Sequence, residues 1–187
     1  MSRQRRSESQ SLCLAAGLLV VFLSGCRGSV VHLVSYKDPY FPEKFHVDFM
    51  HCAYRTQPGG GIQAVGRAVE NTSRGPTTQY LCVDIFWTPI PGKTPADSTT
   101  IDALLRYVVA SDSGIVVYTG TGFAYPQAAL DGSLDIALES GRLRLQSRNG
   151  DLEDLFGDTQ ITGQLKARND PPAAATLIRE AELLAAR

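Results

Sequence analysis

The chain has 187 residues, with 18 basic and 19 acidic side chains for a net charge of −1, and 43% of it is hydrophobic. That length holds one domain with a real core and is cramped for two. The near-neutral balance, with no Lys/Arg run and no basic stripe interleaved with aromatics, argues against nucleic acid as a partner, and no repeat at solenoid or propeller periods is present.

At the amino end, Arg3, Arg5 and Arg6 precede an apolar run from Leu12 to Leu23 that ends in Leu23-Ser24-Gly25-Cys26. A basic head, an apolar centre and small residues before a cut site make a secretory signal peptide. The run is about a dozen residues, well short of the roughly 20 that a membrane-spanning helix needs. The tetrapeptide resembles the lipobox of bacterial lipoproteins, a resemblance that covers residues 1–26 only. It implies that residues 1–25 are removed and that Cys26 becomes a lipidated first residue holding the protein to a membrane of the cell envelope. Two or three acyl chains hold firmly, at about 0.8 kcal/mol per buried methylene. Arg27 stands where many lipoproteins of the inner membrane carry Asp, which favours the outer membrane, with the domain facing the periplasm or the cell surface. An ordinary secretory signal that leaves Cys26 a plain thiol is the competing reading.

Removing residues 1–25 from 187 leaves 162; Arg3, Arg5, Arg6 and Glu8 leave with the signal, so 15 basic and 18 acidic residues remain. Of four cysteines, Cys13 departs and Cys26 takes lipid. Cys52 and Cys82 then sit outside the cytoplasm, where disulfides persist. A bridge closing about 30 residues would stabilise the fold by roughly 3–4 kcal/mol in the chain-entropy model; two thiols that never meet is the alternative. The bridge carries a topological condition. If the strands bearing the two cysteines flank a third, they lie nearly 10 Å apart and no disulfide spans them.

Taken in order, residues 26–44 read as a lipidated end and a tether, because Pro39 and Pro42 among Tyr36, Tyr40 and Phe41 oppose regular structure. From residue 45 to 187 one β-rich domain is expected. Phe45, Val47 and Phe49 alternate with His46, Asp48, Met50 and Cys52 as a strand, and Gln57-Pro58-Gly59-Gly60-Gly61 is a hairpin loop. Strands follow at 62–70 and 79–88, the latter with Leu81, Val83, Ile85 and Trp87 on one face. Residues 89–98 form a loop, and 99–110 and 115–119 make a hairpin around Ser111-Asp112-Ser113-Gly114. Gly120-Thr121-Gly122-Phe123 lacks the third glycine and the helix of a phosphate loop, so it reads as a bulge or bend. Residues 134–138 and 143–145 read as a hairpin around Glu139-Ser140-Gly141, with Arg142, Arg144 and Arg148 on a wet face. Residues 151–156 read as a helical turn, and 160–168 as a last strand. Asp170-Pro171-Pro172 supplies a helix cap and first turn for a helix over about 171–186, with Ala174, Leu177, Ile178, Ala181 and Leu184 on one stripe. The sum is a mainly β fold: an antiparallel β-sandwich or partly open barrel of seven to eight strands, with the amphipathic helix covering an edge or an open end.

The usual catalytic signatures are absent: no His-Glu-x-x-His, Gly-x-Ser-x-Gly, phosphate loop or Cys-x-x-Cys occurs. The densest set of ligand-type residues is His46, Asp48, His51 and Cys52. On a regular strand His46, Asp48 and Cys52 share a face, a candidate metal site if another segment completes the shell, and one that excludes a bridged Cys52. Asp151, Glu153, Asp154 and Asp158 form an acidic cluster that matches no Ca²⁺-loop spacing. Tyr80, Phe86, Trp87 and Tyr107 are aromatics for a cleft or for cross-strand pairs. No cofactor is expected. The leading expectation is a noncatalytic, membrane-anchored envelope lipoprotein that binds an envelope protein or wall component. A carrier of a small apolar or lipid ligand inside the barrel, and a metal-dependent enzyme using His46 and Asp48, are the alternatives.

Overall fold

A computed structural model describes residues 28–72, 75–86 and 102–187. Within them the chain forms β1 (Ser29–Ser35), β2 (Glu43–Phe49), β3 (His51–Thr56), β4 (Ile62–Thr72), β5 (Gly75–Ile85), β6 (Ala103–Ser111), β7 (Gly114–Ala128), β8 (Leu134–Gly150), β9 (Thr159–Asn169) and α1 (Pro171–Ala185). The fold is mainly β, and it is a barrel. Strands β3 to β8 pair in sequence, and β9 closes the ring, antiparallel to β8 on one side and parallel to β3 on the other. The β1–β2 hairpin is added to the β3-facing edge of β9, where Val31 pairs with Gly163 and Ser35 with Thr159.

Alternation builds the interior. Leu81, Val83 and Ile85 of β5, Leu105 and Tyr107 of β6, Tyr118 of β7 and Leu165 of β9 all turn inward and are buried. The expected helical turn at 151–156 is absent: the β8–β9 connection is irregular and drives Phe156 into the core. Its ring lies 5.1 Å from Phe45, 5.3 Å from Tyr118 and 6.0 Å from Tyr107. Asp154 fastens this plug by accepting hydrogen bonds from the Tyr118 hydroxyl at 2.7 Å and from the amides of Phe156 and Gly157 at 3.1 and 2.9 Å.

Helix α1 covers neither an edge nor an open end. It lies along the outer wall, where Ala174, Ile178 and Ala181 pack on Ala53, Val65, Tyr80, Cys82, Val108 and Val117. Asp170 caps it by accepting from the Ala173 amide at 3.0 Å, with prolines in the first turn. Two small buried residues on the contact stripe, Ala174 and Ala181, let the helix approach the barrel closely.

Three expectations about the strands change. Residues 29–35 are no tether: they form β1, with Val31 and Leu33 fully buried because the stretch alternates like any half-buried strand. The strand expected from Phe45 to Cys52 is two strands, broken at Met50. Residues 134–150 are one 17-residue strand rather than a hairpin, because Ser140 takes a left-handed conformation (φ 51°) and absorbs one bulge between Leu138 and Gly141. Gly141 is required there, since a β-carbon would stand 2.5 Å from the Ile161 side chain. The expected bulge near residue 122 is present, as a register shift between Thr121 and Phe123. The expected loop at 89–98 lies outside the described residues.

Candidate functional site

Leu23, Ser24, Gly25 and Cys26 lie outside the described residues, as does Trp87. The first residue placed, Gly28, leads directly into β1.

Cys52 and Cys82 are not bridged. Cys52 pairs with Gly66 of β4, and Cys82 with Val65 of the same strand, so β3 and β5 flank β4. This is the meander that forbids the bond, and the faces differ as well: Cys52 packs against the interior cluster, and Cys82 lies outside, beneath α1. Burial raises the Cys52 thiol above its ordinary value, with a smaller opposing contribution from Ser29. Burial pushes Cys82 up to about 12. Neither is a nucleophile at neutral pH.

The proposed metal face also comes apart. Val47 and Phe49 of β2 point inward, which leaves His46 and Asp48 exposed; beyond Met50 the parity resets, so Cys52 turns inward and His51 outward. His46 faces His32 across the hairpin, and Asp48 faces Val30. Among the described residues no three His, Cys, Asp or Glu side chains converge on a point that would hold a metal ion. The acidic cluster is likewise divided: Asp154 is spent on the Phe156 plug, and Asp158 lies 3.5 Å from Arg144. Tyr80 and Tyr107 line no common cleft. Tyr107 is interior and donates to Gln79, whereas Tyr80 is exterior and donates to Glu180 of α1 at 2.9 Å. Phe86 is exposed.

Two surface features remain, and the sequence flagged neither. The first is a cleft of about 1160 Å³ where β1 enters between β9 and the β2–β3 bend; Gly28, Met50, Cys52, Lys166, Arg168 and Leu177 are among its walls. Lys166 lies 2.8 Å from Asp131 on the β7–β8 turn. The second is an open strand edge. β9 leaves β8 after the pair Leu143–Thr159, so from Arg144 to Gly150 β8 pairs with β7 alone. At the fork a groove of about 310 Å³ is lined by Tyr36, Arg142, Arg144, Asp158 and Gln160. The open segment is exposed throughout and carries Arg144 and Arg148. An unpaired edge offers amides and carbonyls to an added strand, and arginine suits acidic side chains on that strand.

None of the helices described is long and apolar enough to cross a membrane. No protein-family model matches the chain, and comparison with characterised proteins and with solved structures finds no match.

Proposed function

We propose that this chain is a lipoprotein of the bacterial cell envelope, anchored through Cys26, whose barrel binds an extended, acidic segment of another envelope protein. The observation that carries the binding half is the open edge of β8 beside a filled interior. Tyr107, Tyr118 and Phe156 occupy the barrel centre, where an internal lipid carrier would need a chamber, so recognition falls to the outer surface. The anchoring half rests on Leu23-Ser24-Gly25-Cys26 and the apolar run before it. The separation of Cys52 from His46 and Asp48 removes the shared face that a metal-dependent enzyme would use.

The test has two arms. Intact mass of the membrane-fraction protein, beside a Cys26→Ala form, is expected to show a chain that starts at Cys26 and carries acyl groups; a mass without lipid defeats the anchor. A photo-crosslinking residue placed at Ser147 is expected to capture a discrete partner in intact cells, and an Arg148→Pro change, at a position whose amide alternates away from β7 toward the open edge, to weaken that partner's co-purification. Unchanged co-purification defeats the edge as the binding surface.

A further inference from the structure

The point at which the chain enters the barrel sets how the barrel must sit on a membrane. Only Arg27 separates Cys26 from Gly28, so their α-carbons lie at most about 7 Å apart. Gly28 is itself part of the cleft wall. Acyl chains attached at Cys26 would therefore start within that distance of the cleft wall.

The rim carries features suited to a bilayer. Met50, at the β2–β3 bend, is 78% exposed, and Leu130, at the tip of the β7–β8 turn beside Asp131, is fully exposed. Both are large apolar side chains left in water by the fold. Lys166 and Arg168 stand on the same wall; Lys166 is paired with Asp131, whereas Arg168 has no carboxylate within ion-pairing distance among the described residues. The same wall also carries Asp48 and Asp170 besides Asp131, so contact with a bilayer rests on the two apolar side chains, with Arg168 placed to reach a headgroup phosphate.

A second exposed apolar group, Tyr40 at 86% and Phe41 at 76%, lies on the connection between β1 and β2. β1 runs away from Gly28 for seven residues before reaching it, which places this loop about 20 Å along the strand from the entry point. The two apolar groups thus sit at opposite ends of the β1–β2 hairpin.

We infer that the protein docks on its membrane through the cleft rim, with Leu130 and Met50 entering the interface and Arg168 meeting a headgroup phosphate, while the Tyr40–Phe41 loop points away from the bilayer. This orientation rests on the lipid-anchor reading of Cys26. Its consequence is that the open edge of β8 is presented beside the outward-facing loop, since Tyr36 closes the groove at the β8–β9 fork.

The test uses the mature acylated protein in vesicles of phosphatidylethanolamine and phosphatidylglycerol that carry brominated acyl chains, which quench tryptophan on contact. Leu130→Trp, Met50→Trp and Phe41→Trp forms are compared after subtraction of the wild-type Trp87 signal. The expected result is severalfold quenching and a blue shift at positions 130 and 50, with no change at 41. Quenching at 41 alone, at all three positions or at none overturns the orientation. Intact mass on the same samples separates the two failures: absence of acyl chains on Cys26 defeats the anchor itself, whereas their presence with the wrong quenching pattern defeats only the orientation.

Discussion

The ring of Phe49 lies directly over the α-carbon of Gly66: a β-carbon at position 66 would stand 2.9 Å from two of the ring's atoms. The contact draws the end of β2 against β4 just where β3 takes over the pairing. Gly66→Ala must therefore displace Phe49 or the strand, and overpacking of this kind costs about 1–3 kcal/mol. Urea unfolding of the two forms measures it, and a change near zero would mean that Phe49 swings aside freely.

The Phe156 plug gives an acid-side signature. Burial works against ionisation of Asp154, but the Tyr118 hydroxyl and the amides of Gly157 and Phe156 outweigh it and hold the carboxyl below the ordinary carboxylate value. A carboxyl whose folded-state pKa is depressed stabilises the fold fully above its unfolded-state pKa, and that contribution is lost as the pH falls through the folded-state value. Thermal unfolding followed from neutral pH down to about pH 3, just below the model-peptide carboxylate value, is expected to show a decline that Asp154→Asn flattens. Equal slopes in both proteins would sever Asp154 from the acid response.

Phe156→Ala removes the plug outright. It deletes a buried ring in contact with three others, for which the usual cost is about 3–5 kcal/mol. Chemical denaturation reads the loss, and increased binding of a hydrophobic dye would report the opened barrel end.

The two cysteines of the barrel are expected to behave as separate thiols. The folded protein should show no two-dalton mass change on reduction. A maleimide should label Cys52 slowly and Cys82 only on unfolding, since burial raises both thiols and Cys82 lies beneath α1. A bridged species in native protein would require β3 and β5 to be rearranged.

Removing the helix cap tests the outer layer alone. Asp170→Ala leaves the Ala173 amide without its acceptor and should lower stability by about 1 kcal/mol while the strand content seen by circular dichroism stays the same.

Much of this fold is visible in the sequence wherever one period runs uninterrupted. Strands β4, β5, β6 and β9 announce themselves by alternation, and α1 by Asp170-Pro171-Pro172 and its stripe of small and aliphatic residues. What escapes are the places where the period is broken by one residue. Glu139-Ser140-Gly141 has the composition of a turn, yet a single left-handed Ser140 lets β8 run on to Gly150. Met50 shifts the parity of the chain, so His46, Asp48 and Cys52, aligned on paper, end on different faces. Strand β1 was hidden by the prolines that follow it; the alternation of Val31 and Leu33 with His32 and Val34 was the available signal. The open edge of β8 could not be read at all, because it depends on where a different strand stops.

The pairing of β1 with β9 joins residues such as Val31 and Gly163, at opposite ends of the barrel-forming chain. The parallel seam between β3 and β9 spans only two residue pairs, Ala53–Arg168 and Tyr54–Asn169. Ring closure thus waits for the last strand to be made, and contacts of such long sequence separation form slowly. A chain emerging from a ribosome or a translocation pore holds β1 and β2 with no sheet to join until nearly all of it has passed. Such a topology stays open while the chain is delivered and locks only once β9 is free to pair.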